Sequence, residues 1–436
     1  MRKVLIIASL LHSSPWIPGL AKYLPKFGWQ PIILTIPLGD NPEERLHGPS
    51  DGFKDNCRII ETEGYRPVKD MKEIMETIKE RGVIRRTYAI VEPILKPVLR
   101  RVYRPLYNLY QGIFWYPDRE KKWKTSAIKA GSELLEREIV DAMISSSPPV
   151  TAHIIAKTLR DKFKIPWIAD FRDLWTQNHN YPYGPLRRLI ERRLELRTLQ
   201  SSDALVTVSQ PLVKKLGMLH RGKLVYAIPN GFDPDEFDRS SVNLTSNFTI
   251  TYTGQIYKKQ NFLKFLIALK DLISNGHVDP NKIEARFYGP ENGFLAEAIK
   301  RYELKDVVKQ YGIVPRRTSL KKQRESQLLL LLNWEDPREK GVLTTKFIEY
   351  LGSQRPIIAV GGFGGDEVER VLKDTRAGIY ASTIKEVEDT IRKLYMDYEQ
   401  KGKIPYNGLI EEIKKYSFIE LAKKLAKILD DLLRNN

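Results

Sequence analysis

The sequence predicts an α/β protein built from two doubly wound parallel sheets that face each other across a cleft. Three observations predict it. Short runs of β-branched and aliphatic residues alternate with helix-patterned stretches, the rhythm of a parallel sheet covered on both faces. That rhythm lapses into a polar stretch, Phe232 to Asn247, and restarts around it. The chain has 436 residues, too many for one ordinary core and enough for two.

In the first half, Val4–Ala8, Pro31–Thr35, Ala142–Ser145, Trp167–Asp170 and Ala204–Val208 read as strands, and Gly19–Phe27, Lys124–Glu138, Val150–Phe163 and Pro185–Leu199 as helices. The region from about Asp51 to Ile113 breaks the pattern and reads as a helical insertion. In the second half, strands are expected in Leu224–Phe232, Ile250–Tyr257, Ile283–Tyr288, Leu328–Leu332 and Pro356–Val360. Helices are expected at Asn261–Ser274, Gly293–Tyr302 and Thr345–Gly352. Phe418, Leu421, Leu425, Ile428 and Leu432 recur at helical spacing and make the end of the chain an amphipathic helix. The expected organisation is a first domain over 1–230 with a basic insertion at about 65–125, a second over 231–410, and a terminal helix over 411–436.

Composition narrows the function classes. Hydrophobic residues at 42% and charged residues at 29% exclude a disordered or fibrous chain. The apolar opening, Val4–Leu11, is short and runs into Pro15, Trp16 and Pro18, so it reads as a buried strand and not as a signal peptide. The longest other apolar run, Leu328–Leu332, is far short of the ~20 residues that span a bilayer. One cysteine, Cys57, rules out an internal disulfide and a Cys-based metal site, as in cytosolic chains. Asp233-Pro-Asp235 imitates a metal motif, but its central proline and hinge context argue against one, and no metal site is expected.

The net charge of +18 is unevenly placed. Between Arg81 and Ala130 there are twelve Lys or Arg against three Asp or Glu, interleaved with Tyr103, Tyr107, Tyr110, Phe114, Trp115 and Tyr116. Such a mixture suits an interfacial element lying on an anionic membrane. A solvated helical face is the plain alternative, and nucleic acid, which would also attract the charge, is not the expected partner.

Five turns carry chemistry. Ser145-Ser-Ser-Pro-Pro149 ends a strand in small residues before a helix, offering free backbone N–H groups or a plain turn. Asp170-Phe-Arg-Asp-Leu-Trp175 sets three ionisable groups after a buried strand, which is costly unless they pair with one another or meet a ligand. Ile228-Pro-Asn-Gly-Phe-Asp233 holds a tight Asn-Gly turn. Thr253-Gly-Gln-Ile-Tyr-Lys-Lys259 joins Gly254, which lets a phosphate approach the backbone, to Lys258 and Lys259. In Lys346-Phe-Ile-Glu-Tyr-Leu351, Lys346 and Glu349 share a helix face behind the capping residues Thr344 and Thr345, where an anion is favoured and a carboxylate can accept hydrogen bonds from a diol.

In this order, and with Pro117, Asp118 and Trp123 before them, these motifs resemble the retaining glycosyltransferases of the GT-B fold usually called family 4, over most of the chain and most closely in the surface-polysaccharide branch. The resemblance implies a sugar moved from a nucleotide-diphosphate sugar to a hydroxyl of a membrane-associated acceptor, lipid-linked or polysaccharide, by a cytoplasmic enzyme peripheral to the inner face of the membrane. It implies no cofactor beyond the donor. Gly254, Lys258, Lys259, Tyr288, Gly289, Val314, Thr344, Thr345, Lys346 and Glu349 would bind that donor, Glu349 at the ribose. Ser147, Pro148, His153, Trp175 and Asn230 would line the acceptor side, and Asp170, Arg172 and Asp173 would serve catalysis, Asp170 or Asp173 orienting or deprotonating the acceptor hydroxyl. The family's first glutamate, eight residues before Glu349, is Gly341 here, with Glu339 as the nearby substitute. Arg172 stands where relatives often carry a histidine. A nucleotide-sugar 2-epimerase and a catalytically degenerate membrane-binding scaffold are the competing readings.

Overall fold

The computed structural model describes residues 1–13, 15–39, 53–63, 115–237, 242–257 and 260–435. Lys258, Lys259 and residues 64–114, most of the expected insertion and of the basic segment, lie outside the described residues.

Two parallel sheets organise the chain. The first has the order β3-β2-β1-β4-β5-β6-β7, from β1 (Arg2–Ile7), β2 (Trp29–Thr35), β3 (Arg58–Glu61), β4 (Ala142–Ser147), β5 (Trp167–Phe171), β6 (Ala204–Thr207) and β7 (Leu224–Ala227). The second has the order β10-β9-β8-β11-β12-β13, from β8 (Phe248–Thr253), β9 (Ile283–Tyr288), β10 (Val308–Gly312), β11 (Leu328–Leu332), β12 (Ile357–Val360) and β13 (Gly378–Ala381). The central strands β1, β4, β5, β8 and β11 are buried on both faces and read as continuous apolar or small-residue runs, as parallel strands under helices must. Sequence reasoning passed over β3, β10 and β13. Each is an edge strand, four or five residues long and partly exposed, so neither length nor apolar content marks it.

Each sheet carries apolar layers on both faces. The terminal helix, Phe418–Asn435, leaves the second domain and completes a layer of the first, burying Phe418, Leu421, Leu425 and Leu429 among Trp16, Ile17 and Leu20. Phe418 is seated between Gly19 and Gly231, where an added Cβ would lie 2.4 and 2.6 Å from its ring. The chain therefore crosses between the sheets twice, after β7 and before this helix. The two crossings are hydrogen-bonded, Phe232 N–H to the Tyr416 carbonyl at 3.1 Å and Phe418 N–H to the Phe232 carbonyl at 2.9 Å. Asp233 and Asp235, the motif that imitated a metal site, hold Lys22 at 2.8 Å each and take the Tyr23 hydroxyl, pinning the crossing to the first domain.

Candidate active site in the cleft

Strand order reverses between β1 and β4 in the first sheet and between β8 and β11 in the second. Loops leave such a pair in opposite directions, opening a crevice at the carboxyl ends. A cavity of about 420 Å³ joins loops of both sheets, lined by His12, Trp16, Pro148, Arg172, Asp173 and Asn230 on one side and Tyr257, Leu343, Thr344 and Thr345 on the other.

On the first side, Asp170 lies opposite Ser146 in the ladder and is 2% exposed. It accepts from Ser146 Oγ at 2.7 Å, Trp16 Nε1 at 2.9 Å and Arg172 Nη2 at 2.5 Å. The Arg172 guanidinium stacks 3.9 Å over the Trp16 ring and donates to the Ile228 carbonyl at 3.0 Å. Burial pushes the Arg172 pKa down, and Asp170 counters it. Asp170 and Arg172 thus satisfy each other as a buried, hydrogen-bonded pair in the cleft wall. Asp173 differs: it is exposed in the cavity, and the surrounding protein raises its carboxyl above the ordinary range despite Arg172. Of the three expected catalytic groups, Arg172 and Asp173 line the cavity, and of these only Asp173 is exposed.

Three expected acceptor contacts are buried. His153 is fully buried, bonded through Nδ1 to Ser145 Oγ at 2.7 Å and packed 4.4 Å from the Phe171 ring, and burial holds its pKa down at about 3. Trp175 is 5% exposed and donates to Glu191 at 3.0 Å, anchoring its turn to the helix Pro185–Leu199. Ser147 is buried at the strand end, while Pro148 and Asn230 do line the cavity. The helix start after Ser145–Pro149 is not open to a ligand either. Asp118 fills it, accepting from Thr151 N–H at 2.8 Å and Thr151 Oγ1 at 2.7 Å, and burial raises its carboxyl to about 6.

The second side is built around Lys346. The helix Thr345–Ser353 starts at the cleft, with Thr344 Oγ1 accepting from Phe347 N–H at 3.3 Å and the Thr345 and Lys346 N–H groups in its first turn. Lys346 Nζ lies 3.6 Å from the centre of the Tyr252 ring, donates to the Tyr252 hydroxyl, and its chain passes 3.1 Å from where a Cβ on Gly254 would stand. Gly254 has φ +96°, and its carbonyl packs where a Cβ on Gly289 would be. Burial lowers the Lys346 pKa to about 7, and Glu349, the carboxylate that opposes this, is itself paired with Arg316 at 2.5 Å. Arg316 also makes two hydrogen bonds of 2.8 Å to Glu236, and these two carboxylates outweigh its burial and keep its pKa raised. Tyr288 stacks on Tyr311 at 4.9 Å and 17°, and Gly289 N–H reaches the Gly312 carbonyl at 2.8 Å, tying the strand ends beside half-buried Val314.

Gly341 sits where the two sheets touch. Ser209 Oγ donates to its carbonyl at 2.7 Å, and an added Cβ would meet Ser209 Oγ at 2.8 Å and Leu212 Cγ at 2.9 Å. A glutamate has no room there. Glu339 is 3% exposed and faces His179 Nε2 at 3.3 Å across the same contact. Asn230 Nδ2 and Lys215 Nζ complete it, donating to the Leu343 and Arg338 carbonyls at 2.9 and 3.0 Å.

Sequence reasoning missed His12 and Arg316. His12 follows β1 into the cavity, with Nδ1 2.8 Å from Ser9 Oγ, and burial lowers its pKa. The rule that ligands bind beyond the switch-point strands would have found it, since the loop after β1 must line the crevice. Nothing local marks Arg316 among the basic residues of Arg316–Arg324.

No family model and no curated protein matches this chain. Solved structures match throughout its length. It is similar to sucrose-phosphate synthase from Thermosynechococcus elongatus, with 11% identity, 100% of each chain covered and a TM-score of 0.65. It is also similar to HepE from Anabaena, solved with UDP and glucose, with 11% identity over 99% of this chain and 100% of that one and a TM-score of 0.60. The N-terminal domain of trehalose-6-phosphate phosphatase from Candida albicans matches at 12% identity, 99% of each chain and a TM-score of 0.61. At such identities the likeness is one of fold: the chain has the two-domain GT-B architecture, with the terminal helix returned to the first domain.

Proposed function

We propose that this protein is a glycosyltransferase that moves a sugar from a nucleoside diphosphate sugar to a hydroxyl of a membrane-associated acceptor, with retention, as the resemblance to the family 4 surface-polysaccharide enzymes implies. One observation carries the reading: a half-buried Lys346 at a helix start beside the Gly254 turn, its pKa lowered by desolvation. An arriving diphosphate supplies the negative charge that this lysine lacks and meets the helix N–H groups as well. Stabilising the departing diphosphate by such fixed groups is the main catalytic term expected for sugar transfer. Lys258 and Lys259 belong to the same loop sequence. The Tyr288–Gly289 and Val314 region is the wall for the base, and Glu349, exchanging Arg316 for the ribose hydroxyls, holds the nucleoside. Asp173 faces the acceptor, with Pro148 and Asn230 beside it. The structures of HepE with UDP support a uridine donor as the first to test.

A thermal-shift screen against UDP, GDP, ADP, TDP and CMP tests this, since a ligand at a hundredfold excess over Kd stabilises by about 2.7 kcal/mol. One diphosphate is expected to raise the melting temperature of the wild type and to lose most of that effect in Lys346→Met. A flat screen overturns the transferase reading and leaves the degenerate scaffold.

A further inference from the structure

The helix Pro185–Leu199 turns both of its acidic residues inward and most of its aliphatic residues outward. Its two acidic residues point inward: Glu191 and Glu195 are each 1% exposed, Glu191 held by Trp175 and Arg187, Glu195 by Thr176 and His220. Four of its six aliphatic residues point outward, Leu186 72%, Leu189 49%, Ile190 45% and Leu196 39% exposed, while Leu194 and Leu199 pack inward. Arg193 and Arg197 lie among them and Arg188 and Arg192 flank them, all exposed. Positions 186, 189, 190, 193, 196 and 197 follow the three- and four-residue spacing of a single helix face. A solvent-facing helix gains nothing from four exposed aliphatic side chains, and with both glutamates spent inside, the helix offers its outer arginines no acid of its own.

We propose that this face docks the protein on an anionic lipid surface, the aliphatic side chains entering the headgroup boundary and the arginines meeting lipid phosphates. Charge selects that occupant. Arg188, Arg192, Arg193 and Arg197 border the exposed aliphatic side chains, and an anionic lipid surface offers phosphates to the first and an apolar layer to the second. Nucleic acid would satisfy the arginines and leave the aliphatic residues in water. The placement suits the cleft: Gln177, Asn178 and His179 line the cavity just before the helix, and Glu191 and Glu195 fasten Trp175 and Thr176 to it. A docked helix therefore holds the first-domain side of the cleft at the membrane, where a lipid-linked acceptor would enter. Only this last step rests on the transferase reading.

The test is co-sedimentation of the full chain with phosphatidylcholine vesicles, with and without phosphatidylglycerol. Wild type is expected to pellet with the anionic vesicles and to stay in solution with the neutral ones. Each arginine near an anionic leaflet is worth roughly fivefold in partitioning, so R193E/R197E should weaken binding by at least roughly 25-fold. L189N/I190N, which keeps every charge, should weaken it as well. All these side chains are exposed, and an unchanged melting temperature verifies folding. Failure of wild type to pellet with anionic vesicles, equal pelleting with both lipids, or wild-type binding by both variants overturns the proposal. The diphosphate thermal shift separates the two readings: both variants should keep it, and vesicle binding without any shift in wild type removes the transferase and leaves the docking face standing.

Discussion

Lys346 gives the candidate site a pH dependence whose sign follows from its surroundings. Free, its pKa stands at about 7, lowered by burial. A bound diphosphate raises it, because an opposite charge favours the protonated ammonium. Above pH 7, binding must therefore take up a proton, and affinity is expected to fall as pH rises from 7, by up to tenfold per unit until the pKa of the bound state is reached. Isothermal titration of the stabilising diphosphate in two buffers of different ionisation enthalpy measures that uptake. An affinity equal at pH 7 and pH 9 would place the diphosphate elsewhere. At this scale the cleft-wall cluster was legible: Asp170, Arg172 and Asp173 announced themselves as three ionisable groups behind a buried strand. Which of them stays exposed was not, because Trp16 and Ser146, the partners that occupy Asp170, come from a separate helix and a separate strand. The same holds for Arg316 and Glu349, thirty-three residues apart and joined only by the fold.

Among the elements, the terminal helix has the most to lose from one truncation. Phe418 is 1% exposed and fills the gap between Gly19 and Gly231. Phe418→Ala leaves a cavity that two glycines cannot fill, and urea unfolding is expected to show a loss of about 3–5 kcal/mol. A loss under about 1 kcal/mol would mean that the helix adds little to the first domain. This helix was readable from its apolar spacing, as were the central strands. The helix Pro185–Leu199 was readable as a helix but not as one that turns its glutamates inward, since periodicity records that an apolar face exists and not which way it turns. Asp118 was visible as part of a motif, and its work, closing the start of the neighbouring helix thirty-three residues on, emerged only in three dimensions.

For the whole molecule, the position of Gly341 ties the missing glutamate to the way the sheets meet. Gly341→Glu would force its side chain against Ser209 and Leu212, and overpacking of this kind costs about 1–3 kcal/mol. That cost falls on the arrangement in which the two sides touch, so the open form should gain roughly five- to 150-fold in population. Small-angle scattering is expected to show a larger radius of gyration for the variant and little compaction with diphosphate; a wild-type profile would mean that the contact is not retained in solution. The two doubly wound sheets were legible from the lapse and restart of the strand rhythm, while the contact along 338–343 was not, being made largely by backbone carbonyls that no side-chain pattern encodes. The paired crossing at Phe232 and Tyr416–Phe418 has a mechanical consequence. A single tether would let one body twist, slide and swing against the other. Two adjacent segments hydrogen-bonded to each other behave as the leaf of a door hinge, stiff to torsion and shear and compliant about one line. A closure about that line would retrace one arc and return Lys346 and Asp173 to one registration, so the relation of the two cleft walls is built into the pivot.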